Sequence, residues 1–391
     1  MGKAYDVIIV GAGIMGCVTA YELAKRGIQV LVIEKGQLGV TSSGKPSAII
    51  RQHYSNPTTA RMALHSLRVF QEFKQHVGGE SGFTETGFLA LTSAKDFEGL
   101  KANVALQQGV GIQTEVLSLD ALHERWPTIE TEGLMAAAYE PEAGYADPYL
   151  TLSSYMKAAR QFGVRFAFET MVTGIRFTGG KVQGVETTAD AFDAPAVVNC
   201  AGAWGASVAR MADVELPIHA CRVQVTFFRR PPEHEQAHPV IADFVHGVYW
   251  RSETGNLTLI GLIDPEEAKA VVDPDSYNEG IDLDFVAEVG ERLVRRFPAM
   301  ETSENTGGYA ALYGITPDWH AVIDEPQPGS CFYVCAGFSG HGFKLGPAVG
   351  LMTADMISGV ETSGMDRSMF RLSRFVEDDP VRGKYEYSIV G

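Results

Sequence analysis

The sequence predicts an α/β protein in which a Rossmann-type nucleotide-binding domain is interleaved with a second, β-sheet-rich (α+β) domain. Three observations carry this expectation. The first forty residues alternate strand, glycine turn, helix and strand; the middle stretches turn strand-rich; and the C-terminal part returns to a buried strand followed by a long apolar helix. A chain of 391 residues also exceeds one ordinary core of about 100–200 residues.

Residues 5–10 form a short apolar run that ends at Gly11, as a buried parallel strand requires. Over 14–26, helical spacing places Ile14, Cys17, Val18 and Tyr21 on one side; Gly27 ends the helix, and 29–33 reads as the next strand. A long helix is expected over 56–77, with Pro57 at its start. Strands follow at 86–92 and 134–139, and helices at 96–108 and 148–162. Residues 164–168, 172–177 and 181–187 read as strands, the last two joined by a hairpin through Thr178-Gly179-Gly180. A short buried strand at 196–200 ends in Ala201-Gly202. Strands dominate 216–261, with a turn at Gly255-Asn256. A helix at 283–297, strands at 308–314, 321–324 and 332–335, and a last helix at 344–358 complete the pattern. The nucleotide-binding domain is therefore expected to combine 1–82, 145–215 and 323–391, and the second domain 83–144 and 216–322.

Composition excludes several function classes. Apolar residues at 45% and charged residues at 20% are globular values. A net charge of −16 repels phosphate backbones, so neither nucleic acid nor an anionic membrane is an expected partner. An anionic substrate would need a local cluster of cations against that field. The N-terminal residues lack the pattern of a secretory leader, and Asp6 occupies the slot where a myristoylation signal needs Ser or Thr. No apolar run of about 18 residues predicts a membrane span. Cys17, Cys200, Cys221, Cys331 and Cys335 are sparse and odd in number, which predicts reduced thiols and a cytoplasmic protein. Cys331 and Cys335 lack a second ligand pair, so no metal site is expected.

The sharpest motif is Gly11-Ala12-Gly13-Ile14-Met15-Gly16. Gly11 permits the tight turn, Gly13 lets backbone amides approach a pyrophosphate, and Gly16 lets helix pack on strand. Glu34 ends the second strand, where a carboxylate accepts ribose hydroxyls and repels a 2′-phosphate. The unit predicts a dinucleotide without choosing between NAD and FAD. Far along the chain, Ala336-Gly337-Phe338-Ser339-Gly340-His341-Gly342-Phe343-Lys344 joins a buried strand to the last helix. Its amides suit a reduced flavin anion, and an ordinary glycine loop is the alternative.

Taken together, DVIIVGAGIMGCVTAYELAKRGIQVLVIEK, PEAGYADPYL and VVNCAGAW resemble the FAD-dependent amine oxidoreductases of the D-amino-acid oxidase superfamily. AIIRQHYSNP, YGITPDWHAVID and AGFSGHGFK resemble its sarcosine oxidase branch, both the monomeric enzymes and the β subunits of the multi-subunit ones. The resemblance makes the two domains FAD-binding and substrate-binding. It places FAD against Gly11, Gly13, Ile14, Met15, Gly16, Glu34, Lys35, Ser42, Ser43, Val172, Ala201, Gly202, Trp204, Gly340, His341, Gly342, Phe343 and Lys344. It assigns the substrate carboxylate to Arg51 and Lys344, and Tyr313 and His53 join them as candidate catalytic residues. A guanidinium grips a carboxylate bidentately and an ammonium adds a point charge. Tyr54, Tyr249, Trp250 and His320 are further candidate walls, and Lys45 accompanies the serines.

Several departures shape the expectation. Ala311 stands where the monomeric enzymes carry the cysteine that links to flavin, so FAD is expected to be noncovalent. Residues 255–261 lack the lysine that activates oxygen in those enzymes, and the GNLTLIGLID wording is closer to the multi-subunit β chains, which work with partners. Gly314-Ile315-Thr316-Pro317-Asp318 replaces the Arg-Pro-Gly type segment of the D-amino-acid and glycine oxidases. The resemblance thus implies oxidation of the C–N bond of a small secondary or N-methyl amino acid, with hydride transfer to flavin N5 and, for an N-methyl substrate, demethylation. The competing readings are a dehydrogenase subunit passing electrons to a partner, a 2-hydroxy-acid dehydrogenase on the same fold, and a scaffold without turnover.

Overall fold

The computed structural model describes residues 5–263 and 269–382; the expected features at 1–4 and 383–391 lie outside the described residues. The protein is of the mixed α/β class. A six-stranded sheet runs in the order Val322–Asp324, Phe332–Ala336, Ala196–Asn199, Val7–Val10, Val30–Ile33 and Arg165–Ala167. Its pairings are parallel except at the Val322–Asp324 edge. The central strands are apolar and buried on both faces, as parallel strands covered by helices must be. Ile14–Lys25, Pro148–Gln161 and the last helix, Gly342–Ser358, pack together on one face. On the other face, Val172 and Val185 from a small antiparallel sheet share a core with Ile8, Leu31 and Val197.

An eight-stranded sheet takes the remaining long strands. Its order is Glu304–Ile315, His219–Arg229, Leu257–Leu262, Val248–Glu253, Val240–Asp243, Phe88–Thr92, Ala136–Glu140 and Glu115–Leu117. All its pairings are antiparallel except that of Val240–Asp243 with Phe88–Thr92. One face packs on Leu283–Arg296 around Trp250, Leu293 and Met300; the other meets Phe97–Val110 through Leu100 and Val104. A further small sheet pairs Gly144–Tyr145 with Ile49–Ile50 and with Thr84–Glu85.

Two expectations differ in detail. The helix expected over 56–77 ends at Gln71, and a single turn, Phe73–His76, resumes after Glu72. The bend carries Phe73 into edge-on contact with Tyr155, their ring centroids 5.3 Å apart. Trp250 was expected beside Tyr249 as a site wall, but neighbouring residues of a strand face opposite ways. Tyr249 lines a cavity, whereas Trp250 is fully buried in the core behind it.

Candidate active site

Three cavities adjoin one another along the carboxyl ends of the parallel strands, where ligands of open α/β sheets bind. The largest, of about 210 Å³, lies over Gly11, Gly13, Glu34, Lys35 and Val172. It shares Gly13, Ser42, Ser43, Cys200 and Gly202 with a second of about 110 Å³. The second shares Pro46 and Tyr313 with a third of about 30 Å³, walled by Tyr249, Tyr309, Ala311 and Trp319. The line runs from the six-stranded sheet to the eight-stranded one.

The first cavity is a backbone cradle. Gly11 has φ +106°, and a Cβ there would meet the Cys200 carbonyl oxygen at 2.5 Å. A Cβ at Gly16 would fall 1.9 Å from the Gly11 oxygen, so the first helix can start beneath the turn only without one. Gly16 itself lies behind the wall. Gly13 offers no side-chain cap at the helix start, and Ser43 supplies it: its Oγ accepts the Ile14 N–H at 3.0 Å. Glu34 accepts the Ala12 N–H at 2.8 Å and the Gly36 N–H at 2.9 Å, which fixes its carboxylate at the rim. Ala201, Gly202 and Trp204 follow the Ala196–Asn199 strand on the opposite wall.

A bridge at the rim of this cavity carries no sequence motif. Lys35 lies 3.7 Å over the Trp204 ring and pairs with Asp275 at 2.5 Å, and Trp204 Nε1 donates to the same carboxylate at 2.9 Å. The Lys35 hydrogen bond, ahead of that from Trp204, holds Asp275 below the usual carboxylate range.

The second cavity is walled by Ile14 and Met15 on one side and by Gly340, Gly342 and Phe343 on the other. Ser339, at φ +48°, turns the chain there, and its N–H donates to Gly314 O at 3.0 Å. Tyr313 stands between the second and third cavities.

Arg51, Lys344 and His341 sit deeper than these walls. Arg51 is 3% and Lys344 4% exposed. Arg51 Nη1 donates to His53 O at 2.5 Å, Nη2 has no partner among the described residues, and the guanidinium lies 4.9 Å from the Tyr54 ring. Lys344 Nζ lies 3.4 Å from Gly340 O. Among the described residues neither cation has an ion-pair partner. Burial, and then the Arg51 charge, hold the Lys344 ammonium well below its ordinary value. Burial, then Lys344, Arg51 and His320, depress His341 in turn. The Tyr54 hydroxyl and His341 Nδ1 are 3.2 Å apart, and burial pushes that phenol up to about 12. Tyr54, His320 and His341 line a small void of about 20 Å³.

His53 differs from expectation. It is fully buried, away from the cavity walls, and its ring nitrogens are engaged by Asn103 at 3.1 Å and Gln107 at 3.2 Å, with Glu140 3.6 Å away. No motif marked Asn103, Gln107 or Glu140. None of the five cysteines is in a disulfide. Among the described residues no cluster of three or more His, Cys, Asp or Glu side chains is placed to hold a metal, and no helix is long and apolar enough to cross a membrane.

The family model described as DAO, FAD dependent oxidoreductase, matches residues 6–356. The chain belongs to this family of FAD-dependent oxidoreductases. Among relatives, it is 28% identical to FAD-dependent oxidoreductase domain-containing protein 1 of Bos taurus, over 95% of this chain and 84% of that protein. It is 26% identical to sarcosine oxidase subunit beta of Rhodobacter capsulatus, over 91% and 85%. Among solved structures it resembles L-proline dehydrogenase from P. horikoshii, with a TM-score of 0.89, 25% identity and coverage of 97% of this chain and 100% of that one. As a DAO-family member this protein uses FAD, and the joined cavities suit so long a molecule. Their glycine cradle, the Glu34 carboxylate and the second turn at Gly340–Phe343 are donor and acceptor sets of the right kind at its two ends.

Proposed function

We propose that this oxidoreductase oxidises the C–N bond of a small secondary or N-methyl amino acid. One observation carries the reading: Arg51 and Lys344 are both buried, lie close enough for the Arg51 charge to act on Lys344, and have no counter-ion among the described residues. Unpaired buried charge is costly, so the pair is poised for an anion. A substrate carboxylate answers that need and fixes the rest of the molecule.

In this reading Gly11, Gly13, Ser42, Ser43, Glu34 and Val172 hold the nucleotide end of FAD, and Gly340–Phe343 the ring end. Ala311 offers no nucleophile, so the cofactor is held noncovalently. FAD supplies the two-electron acceptor. Arg51 and Lys344 anchor the carboxylate, while Tyr313 and Tyr249 wall the space for the amine and its alkyl group. Two positive charges against one carboxylate disfavour a substrate ammonium, so the site selects the neutral amine. Tyr54 stays a neutral phenol and His341 a neutral imidazole at physiological pH. Loss of a hydride equivalent leaves an imine, which water hydrolyses.

The test is an anaerobic titration of the FAD-loaded protein with sarcosine, N,N-dimethylglycine, L-proline, a D-amino acid and a 2-hydroxy acid. Bleaching of the flavin band by a secondary or tertiary amine, lost in Arg51→Ala, is expected. Bleaching by the hydroxy acid alone would overturn the reading. The absence of a lysine over 255–261 favours a second reading of the acceptor: a partner subunit rather than oxygen takes the electrons. Slow recolouring in air supports that, and fast recolouring excludes it.

A further inference from the structure

We propose that Glu140, Asn103 and Gln107 are positioning residues that aim Arg51 at the substrate carboxylate; the proposal rests on the reading of Arg51 given above. Arg51 follows the short strand Ile49–Ile50, on a stretch without regular structure whose residues 51–54 are all buried. Such a stretch has no ladder of its own to hold it. Its polar groups are held from the part of the chain that builds the eight-stranded sheet. The Gln52 N–H donates to Glu140 Oε2 at 2.8 Å. Asn103 and Gln107, one turn apart on Phe97–Val110, grip the two sides of the His53 ring. Gln107 Nε2 also donates to Tyr54 O at 3.2 Å. Arg51 then closes the turn through its bond to His53 O, which leaves Nη2 as its open donor.

The chemistry of the socket constrains which way its amides face. A neutral imidazole has one donor and one acceptor nitrogen, so two amide NH₂ groups cannot both donate to it. One amide must turn its oxygen to the ring, and both Asn103 Oδ1 and Gln107 Oε1 are otherwise without partners among the described residues. Glu140 is fully buried and acts on Tyr54 in opposition to Arg51.

The experiment compares ligands in the FAD-loaded wild type, Glu140→Gln, Gln107→Leu and Arg51→Ala. Propionate and pyrrolidine are titrated against the visible flavin band, one carrying only the carboxylate and the other only the amine. Glu140→Gln keeps an acceptor for the Gln52 N–H and removes the charge; Gln107→Leu removes the ring and carbonyl contacts at similar volume. The expected result is propionate affinity at least tenfold weaker in Gln107→Leu and not weakened in Glu140→Gln, with pyrrolidine affinity and FAD content unchanged in both. Equal weakening of both ligands, or unchanged propionate binding in Gln107→Leu, overturns the proposal. If Gln107→Leu does not accumulate as yellow protein, Asn103→Leu, which removes the other grip on the His53 ring, carries the measurement. If Arg51→Ala itself binds propionate like the wild type, or the wild type binds none, the carboxylate reading fails and this inference with it.

Discussion

The nucleotide cradle and the anion pocket solve similar problems by opposite means. The cradle meets an anionic ligand with backbone amides, drawn from a contiguous glycine-rich stretch and shaped by where side chains are missing. The pocket meets one with two side-chain charges that stand 293 positions apart in the chain, Arg51 and Lys344, supported by residues from two further segments. The cradle is preorganised and electrically mild. The pocket stores unfavourable charge until its ligand arrives. Damage to the first should therefore abolish the holoprotein, and damage to the second should change only what it binds.

Four substitutions test that contrast, in falling order of expected effect. Gly16→Val drives a side chain into the Gly11 carbonyl, so the purified chain should carry no FAD by absorbance; stoichiometric yellow protein would show that the cradle tolerates what its geometry forbids. Arg51→Ala should keep its FAD yet lose at least about 30-fold in kcat/KM for a carboxylate-bearing amine, because truncating a buried charge partner costs about 2 kcal/mol or more.

The third concerns stored charge. The depressed value at Lys344 means that the unfolded chain binds more protons between that value and the ordinary lysine one, so this residue's contribution to stability rises with pH across that window. Without a carboxylate present, Lys344→Met should melt a few degrees above the wild type at neutral pH, and the gap should close as pH approaches the ordinary lysine value. A constant gap would remove the charge from the explanation. The smallest effect belongs to Asp275→Ala. Exposed ion pairs contribute about 0.2–1 kcal/mol, so FAD release followed by fluorescence should quicken no more than about fivefold.

The same contrast explains what could be read from sequence. The strand–turn–helix–strand unit, the hairpin at 178–180 and the amphipathic helix at 283–296 are local patterns, and each formed where periodicity and glycine placement put it. The two-residue strands at 49–50, 84–85 and 144–145 were invisible, since they exist only because other segments lie beside them. So too at the site. Resemblance pointed to Arg51 and Lys344, and the chain buries both without counter-ions among the described residues. Asn103, Gln107 and Glu140 carry no local signature, because a helix face and a strand end acquire meaning only when folded against 51–54. His53 was expected at the substrate, and only tertiary packing turns its ring into that socket.

The bridge over the nucleotide cavity has a consequence in the language of ionic strength. The segment holding Asp275 and Glu279 reaches Lys35 and Lys45 through two ion pairs whose carboxylates are largely in water. Such pairs fade as the Debye length shrinks from about 10 Å at 0.1 M salt to about 3 Å at 1 M. The Trp204 contact and the glycine cradle do not depend on salt in this way. Cofactor residence is therefore a property partly written in the buffer: FAD release should quicken several-fold in concentrated chloride and slow again when low salt is restored.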